Sequence, residues 1–305
     1  MNIIKNNKYI KNKILLLILL LIIFFIILCF YKKKYYSIND TFININNYIL
    51  PKTIWVYWDT IILPEHINLM IQNNKNILGD TWTINILNDE NLKTYLDIET
   101  FPKNYNSLKV QHKADFIRLK ILEKYGGFWM DASIIINSKE RFEHLYNENI
   151  KNKYEITLYT LFDKDETFTY HQYTENWFII APINSKIIKL WLEEFENAIN
   201  IGFNEYRNYV KDTLNVKLFT NIDGSGGYLT QHTALQVVFQ KRIDWKPHIL
   251  FLKSEDTMFK LLTDCNYDNA CVKTNIETNK DIKNIPFIKI TNSGNGIDWN
   301  KYFIK

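Results

Sequence analysis

Residues 112–133, HKADFIRLKILEKYGGFWMDAS, constrain the fold more than any other stretch of the chain. Ala114, Ile117, Ile121 and Tyr125 recur at helical spacing and give the segment a core face. Asp115 and Arg118, three apart, share another face of that helix. Gly126-Gly127 ends it where a left-handed turn is easiest. Phe128-Trp129-Met130 is short and wholly apolar, which predicts a buried strand, and Ile134-Ile135-Ile136 follows beyond a polar break. Asp131 therefore falls outside the carboxyl end of a strand, where open α/β sheets bind ligands. Taken alone, Asp115 and Arg118 also fit a surface ion pair worth roughly a few tenths of a kcal/mol.

The neighbouring segments extend the same pattern. Lys52–Trp58 is β-branched and aromatic and predicts the first strand. Residues 64–76 predict a helix that starts at Pro64-Glu65. Residues 81–87 alternate as a second strand, and Asn88–Asn91 cap a helix reaching about Leu96. This β-α-β-α-α-β order predicts a parallel sheet with crossover helices. Residues 154–162 and 177–181 read as further strands. Residues 185–200 form an amphipathic helix with Ile188, Trp191, Leu192 and Phe195 on one side. A Gly-rich turn, Asp223-Gly224-Ser225-Gly226-Gly227, precedes a helical pattern over 229–239. Residues 264–284 are Asn-rich and polar and are expected to form a loose surface excursion.

The formal net charge of +4 belongs to the N-terminus. Residues 1–36 hold seven Lys and no acid, which leaves 30 basic and 33 acidic residues in the rest. Nucleic acid is therefore not an expected partner. Ile14–Tyr31 is eighteen residues without a charge, long enough to span a bilayer. A cleaved signal peptide is the rival, but the run exceeds an ordinary signal core and no small-x-small site follows it. The expected organisation is a tail over 1–13, a transmembrane signal anchor over 14–31, a polar stem over 32–48 and one catalytic domain over 49–305. The Lys distribution around the anchor favours a cytoplasmic N-terminus, a single-pass type II arrangement. The body would face the Golgi or endoplasmic reticulum lumen in a eukaryotic cell, and the outside of the cell membrane otherwise. Asn39-Asp40-Thr41 is a glycosylation sequon just beyond the anchor. Cys29 lies in the anchor, as an idle thiol or an acylation site. Cys265 and Cys271 could pair in an oxidising lumen or remain two buried thiols.

The string ADFIRLKILEKYGGFWMDAS resembles the core signature of capsular polysaccharide synthesis proteins. It is also similar to DXD-containing sugar transferases of glycosyltransferase family 32. The clostridial glucosylating toxins share its logic: an acid, an Arg three residues on, and a metal-motif acid sixteen after the first. Asp115, Arg118 and Asp131 fit that spacing. ILPKTIWVYW, residues 49–58, resembles the opening strand of the same group. The likeness covers roughly residues 49–240. It implies a GT-A-like α/β fold and a glycosyltransferase, which the apolar run over 14–31 would anchor in a membrane. Such an enzyme would move a hexose or N-acetylhexosamine from a nucleotide-sugar donor to a glycan or lipid-linked acceptor, with retention of configuration.

That likeness assigns expected roles. Asp115 would accept hydrogen bonds from ribose or sugar hydroxyls, and Arg118 would donate two parallel bonds to a hydroxyl or phosphate. Asp131 would be the catalytic acid of a DXD-like motif, sharing Mn²⁺ or Mg²⁺ with the diphosphate. Ser133 stands where the full motif has a second acid, and a carboxylate plus a hydroxyl makes a poor cage for a hard cation. Either metal is held through Asp131, Ser133, waters and phosphates, or basic and hydroxyl groups replace it. Trp58 is the candidate for stacking on the base, with core packing as the alternative. Asn176 is a candidate sugar contact or a strand cap. His232 is a candidate donor contact or a structural helix His, and His112 and Lys113 share that ambiguity. Amides of the Gly-rich turn could face a phosphate. The chain has no zinc-spaced Cys/His cluster, no Walker loop and no G-x-S-x-G. A glycan-binding protein on the same scaffold is the rival function. A glycoside hydrolase is a further rival, and it would need a second acid facing Asp131.

Overall fold

The first strand, β1 (Thr53–Tyr57, TIWVY), is buried over four of its five residues, as expected of a strand covered on both faces. The computed structural model that contains it describes residues 47–161, 173–214, 216, 227–241, 248–294 and 296–303. The expected tail, anchor, sequon and Cys29, the stem up to residue 46, and Gly224–Gly226 lie outside the described residues. β1 pairs in parallel with β2 (Thr83–Leu87) on one side and β3 (Gly127–Met130) on the other. Between β1 and β2 runs α1 (Glu65–Leu78), which buries Ile67, Met70, Ile71 and Leu78 at helical spacing. A four-residue turn of helix, α2 (Leu92–Tyr95), follows β2. The central helix α3 (Val110–Tyr125) then leads into β3.

Gly126 and Gly127 join α3 to β3 because no side chain fits. Both have positive φ, 60° and 99°. A Cβ on Gly126 would lie 2.6 Å from the Ile183 amide nitrogen, and one on Gly127 would lie 2.5 Å from the Thr53 carbonyl oxygen. Phe128 packs beneath them in an aromatic cluster with Trp82 and Phe142, ring centroids 4.7–5.1 Å apart. Truncating a fully buried Phe in such a cluster costs about 3–5 kcal/mol.

The sheet is mixed, in the order β2-β1-β3-β6-β5-β7: the first three strands are parallel as expected, and β6 alone runs against its neighbours. The short β4 (Ile134–Ile136) leaves this sheet and pairs antiparallel with β8 (Phe287–Lys289). Buried Asn74 of α1 fixes β4, donating to Ile134 O and accepting from Ile136 N. After α4 (Lys139–Asn152) and β5 (Ile156–Thr160), β6 (Thr174–Ala181) returns between β3 and β5, antiparallel to both. β7 (Ile249–Lys253) is parallel to β5. The βαβ pattern is local in sequence and legible. The β3–β6 pairing is set across fifty residues by burial, and no local pattern encodes its direction.

α5 (Lys186–Ile201), α6 (Phe203–Thr213) and α7 (Thr230–Lys241) follow β6. Trp191, Leu192 and Phe195 of α5 are buried, as the amphipathic pattern requires. Residues 264–284 are not a loose excursion. They contain the end of α8 (Lys260–Asp264), all of α9 (Asn269–Thr278) and a 3-10 turn over Lys280–Asn284. Val272, Ile276 and Ile282 join the main core. Asp268 caps α9 by accepting from the Cys271 amide at 2.7 Å. Two apolar residues four apart carry that helix, too few to stand out among Asn, Lys and Thr. Cys265 and Cys271 form a disulfide. A last turn of helix, α10 (Asn300–Phe303), buries Tyr302. Among the described residues no helix is long and apolar enough to cross a membrane.

Candidate active site

A cavity of about 610 Å³ opens where β1 and β3 end. Tyr57, Trp58 and Asp59 approach it from β1, and Asp131, Ala132 and Ser133 from β3. This is the carboxyl edge of the parallel strands β1 and β3, where the strand-end argument placed Asp131. Trp58, Asp115, Arg118, Asp131, Ser133, Asn176 and His232 line it, whereas the other two candidates, His112 and Lys113, do not.

Asp115 and Arg118 are not a surface pair. Their side chains are 7% and 5% exposed and in direct contact through Asp115 Oδ1 and Arg118 Nη1. A buried ion pair persists only where its remaining polar atoms are satisfied. Asn176 Nδ2 donates to Asp115 Oδ1 at 3.0 Å and to Gln231 Oε1 at 2.6 Å. Arg118 Nη1 also donates to Gln231 Oε1 at 2.8 Å. Gln231 Nε2 donates to the Asp115 carbonyl at 2.6 Å, and Trp191 Nε1 donates to the Gln231 carbonyl at 2.8 Å. His112 Nδ1 lies 3.4 Å from Asp115 Oδ2, and its ring packs edge-on against Phe203. His112 therefore supports Asp115 from behind. Lys113 points elsewhere, to Asp89 at 3.1 Å.

Arg118 ties this network to the strand end. Its Nη2 is 3.4 Å from Asp131 Oδ1, and its guanidinium lies over the Trp129 ring at 5.2 Å. Trp129 Nε1 donates to the same Asp131 oxygen at 3.1 Å. The Asp131 amide donates to Trp177 O at 2.9 Å. β6 has no β5 partner from Asn176 to Phe178, because the register jumps from Leu158↔Ile179 to Tyr159↔Glu175. Such irregularities re-aim side chains beside active sites, and here Asn176 reaches α3.

His232 and Glu175 are strongly perturbed groups on the cavity wall, as is Tyr57, whose phenol is pushed up by burial and by Asp89. His232 is buried, stacked on Tyr173 with ring centroids 5.0 Å apart, and neither ring nitrogen has a hydrogen-bond partner among the described residues. Burial pulls its pKa down to about 4, against the opposing pull of Asp115. It is a neutral imidazole with two free polar atoms. Burial likewise pushes Glu175 up to about 8, opposed by Lys289 and reinforced by Asp131. Trp58 is half-buried at the rim.

Gln231, Glu175, Tyr228 and Lys289 escaped the sequence reading. Gln231 stands beside His232 and Glu175 beside Asn176, so the motifs were found but the wrong neighbours weighed. Lys289 had one signal, a lone cation within Phe287-Ile288-Lys289-Ile290. Gly227, at the end of the Gly-rich turn, has φ 70° and its carbonyl caps α7 through Thr230. Among the described residues no group of three or more His, Cys, Asp or Glu side chains could hold a metal ion.

The sequence profile of the capsular polysaccharide synthesis proteins matches residues 20–214. The chain belongs to this family. Two fungal proteins are similar to the chain over part of its length. O-glycosyltransferase braB of Annulohypoxylon truncatum is 27% identical over 179 residues, covering 51% of this chain and 40% of its own. The probable glycosyltransferase FCK3 of Fusarium pseudograminearum (strain CS3096) is 29% identical over 163 residues, covering 49% and 39%. The match thus spans about two fifths of the length of each relative. Among solved structures, the PaToxG glycosyltransferase is similar with a TM-score of 0.39 and 15% identity, over 72% of this chain and 79% of that one. The galactosyltransferase LgtC is similar with a TM-score of 0.39 and 10% identity, over 78% and 87%.

Proposed function

We propose that the chain is a GT-A-like glycosyltransferase of polysaccharide or glycoconjugate synthesis. It would transfer a hexose or N-acetylhexosamine from a nucleotide-sugar donor to a glycan or lipid-linked acceptor, with retention. The observation that carries this reading is the Asp115–Arg118–Asp131–Asn176 network on one wall of one cavity. Ribose and sugar hydroxyls need acceptors and donors held in fixed positions, and these side chains are held by buried partners. Trp58 and Tyr57 offer aromatic surface for the base. The unpaired nitrogens of His232 can exchange hydrogen bonds with the donor. The family and the names of its fungal relatives point the same way. The hexose class and retention rest on the resemblance of the two sequence motifs.

A Mn²⁺ or Mg²⁺ ion at Asp131 and Ser133 does not fit the residues present. Both Asp131 carboxylate oxygens already face protein donors, and Ser133 Oγ accepts from Lys289 at 2.6 Å. Hard cations prefer several free carboxylates.

The membrane arrangement is part of the proposal. Residues 14–31 would anchor the chain with its body on the lumenal or outer side. The Cys265–Cys271 disulfide supports this, since such bonds persist in oxidising compartments. A donor screen counting released nucleoside diphosphate tests the activity, and silence across all common donors would reject it. Glu175 gives the hydrolase a specific observation in its favour, because it puts a second, protonated carboxyl in the cavity with Asp131. Cleavage of a neutral glycan without nucleotide would establish that reading instead. Binding of glycan with no response to nucleotide would establish the lectin-like one.

A further inference from the structure

Lys289 occupies a position that no sequence motif marks. It ends β8, whose pairing with β4 sets Lys289 opposite Ile134, one residue beyond Ser133. The backbone on either side is fixed: Lys289 N donates to Met258 O at 2.9 Å and Ile290 N to Ser133 O at 3.0 Å. The side chain is 12% exposed and reaches the cavity beneath the strand-end acid. Its Nζ donates to Ser133 Oγ at 2.6 Å and lies 3.4 Å from both Asp131 Oδ2 and Ile290 O. The ammonium thus sits between the two side chains from which a metal site would have to be built.

We infer that Lys289 is the resident cation of the donor site, holding Asp131 and Ser133 and meeting the donor's diphosphate in place of a divalent ion. The inference rests on the nucleotide-sugar reading of this cavity. Arg118 and Lys289 are the only Lys or Arg side chains on the cavity wall among the described residues. Arg118 is committed to Asp115 and Gln231. Lys289 is not. Two of its three contacts are long, so an N–H can turn to a phosphate oxygen while the bond to Ser133 persists. A divalent ion on Asp131 would lie beside both cations, and Coulomb repulsion at such short range opposes its entry.

The chemistry balances without a metal. The bond between the sugar's anomeric carbon and the diphosphate oxygen breaks, and its electron pair stays on that oxygen. The acceptor's hydroxyl oxygen forms the new bond to the anomeric carbon, and its proton is lost to water. The diphosphate gains one negative charge. Lys289 stays protonated throughout and stabilises that charge as it develops. It is a catalytic residue in this sense, and Ser133 is its positioning residue.

Calorimetric titration of the full chain with UDP, GDP and CDP, in EDTA and in millimolar Mn²⁺, tests the inference. At least one nucleotide should bind in EDTA within about twofold of its affinity in Mn²⁺, and Mn²⁺ alone should give no bound signal by electron paramagnetic resonance. Lys289→Gln should weaken binding in EDTA roughly ten- to hundredfold, the worth of one hydrogen bond to a charged group. Lys289→Arg should keep most of the affinity in EDTA. The double variant Lys289→Gln with Ser133→Asp, freed of the ammonium and given a second carboxylate, should bind nucleotide better with Mn²⁺ than without. Should Lys289→Gln fail to fold, the wild type in EDTA and Lys289→Arg still decide. Nucleotide binding that appears only with Mn²⁺ overturns the role of Lys289 and leaves the transferase reading standing. So does unchanged affinity in Lys289→Gln. Binding of no nucleotide under either condition rejects the transferase reading, and the inference falls with it.

Discussion

Asn176 of β6 donates to Asp115 of α3 at 3.0 Å, across 61 residues of sequence. That one bond joins the antiparallel strand of the sheet to the helix that carries the family's signature. It also gives a carboxylate 7% exposed a second donor beside Arg118. Removing Asp115 would leave the buried guanidinium with Gln231 and the longer contact to Asp131, and breaking a buried pair costs up to about 3–5 kcal/mol. Asp115→Ala is therefore expected to lower stability by about that amount as well as weaken donor binding, where the sequence alone predicted mainly the binding loss. Urea unfolding beside nucleotide titration separates the two. A variant of wild-type stability would show that Arg118 finds another partner.

Asp131 should behave differently. Its side chain is 30% exposed and stands at the strand end with Arg118, Trp129 and Lys289 around it. Asp131→Asn keeps its size and its capacity to accept from Trp129, so cooperative unfolding should survive. Loss of the charge should lower turnover on the order of 10²–10³. Near wild-type turnover in a purified assay would move the reacting centre elsewhere in the cavity.

The helix, the Gly-Gly stop and the strand-end acid were legible in sequence because each is a local pattern: a period, a turn residue, a short apolar run. Trp58 is a candidate through the opening-strand motif, while Asn176 and His232 stand outside both motifs with structural alternatives open, and their place on the same cavity wall comes only from the fold. Three features were not legible. The antiparallel β6 depends on which edge of β3 is free. The helices of 264–284 rest on few apolar residues and a disulfide. Lys289 gains its meaning only from the pairing of β8 with β4, 156 residues after Ser133.

Glu175 predicts a pH dependence of stability. Its carboxyl is pushed from the usual 4.5 up to about 8, first by burial and against the pull of Lys289. Between those values the folded protein keeps a proton that the unfolded chain has released. Stability should therefore fall as pH rises across this window, by at most about 1.4 kcal/mol per pH unit. Below the window the contribution is complete, and above about pH 8 it is lost. Glu175→Gln cannot ionise and should flatten the curve. Urea midpoints at roughly pH 7.5 and 9 compare the two proteins above the range where His232 titrates, in the folded protein near 4 and in the unfolded chain near 6.5. Parallel curves would show that Glu175 is ionised in the folded state.

The disulfide and the apolar N-terminus make one joint prediction. Cys265 and Cys271 close a loop with a separation of six residues beside the buried Val272 and Ile276. Loop entropy alone gives a bond of that span about 2 kcal/mol. Reduction, or Cys265→Ser, should lower the melting temperature by several degrees without unfolding the body. Such a bond forms where the surroundings are oxidising, and eighteen uncharged residues can carry the body across a membrane to reach them. The full chain should then pellet with membranes, resist carbonate extraction and carry Cys265 and Cys271 unavailable to alkylation until reduced. Deleting residues 1–36 should give a soluble, folded body. When that body is made in a reducing cytosol, the same two thiols should alkylate freely. A chain that leaves the membrane with carbonate would end the anchor assignment, and thiols free in cells would place the body on the reducing side and end the type II assignment.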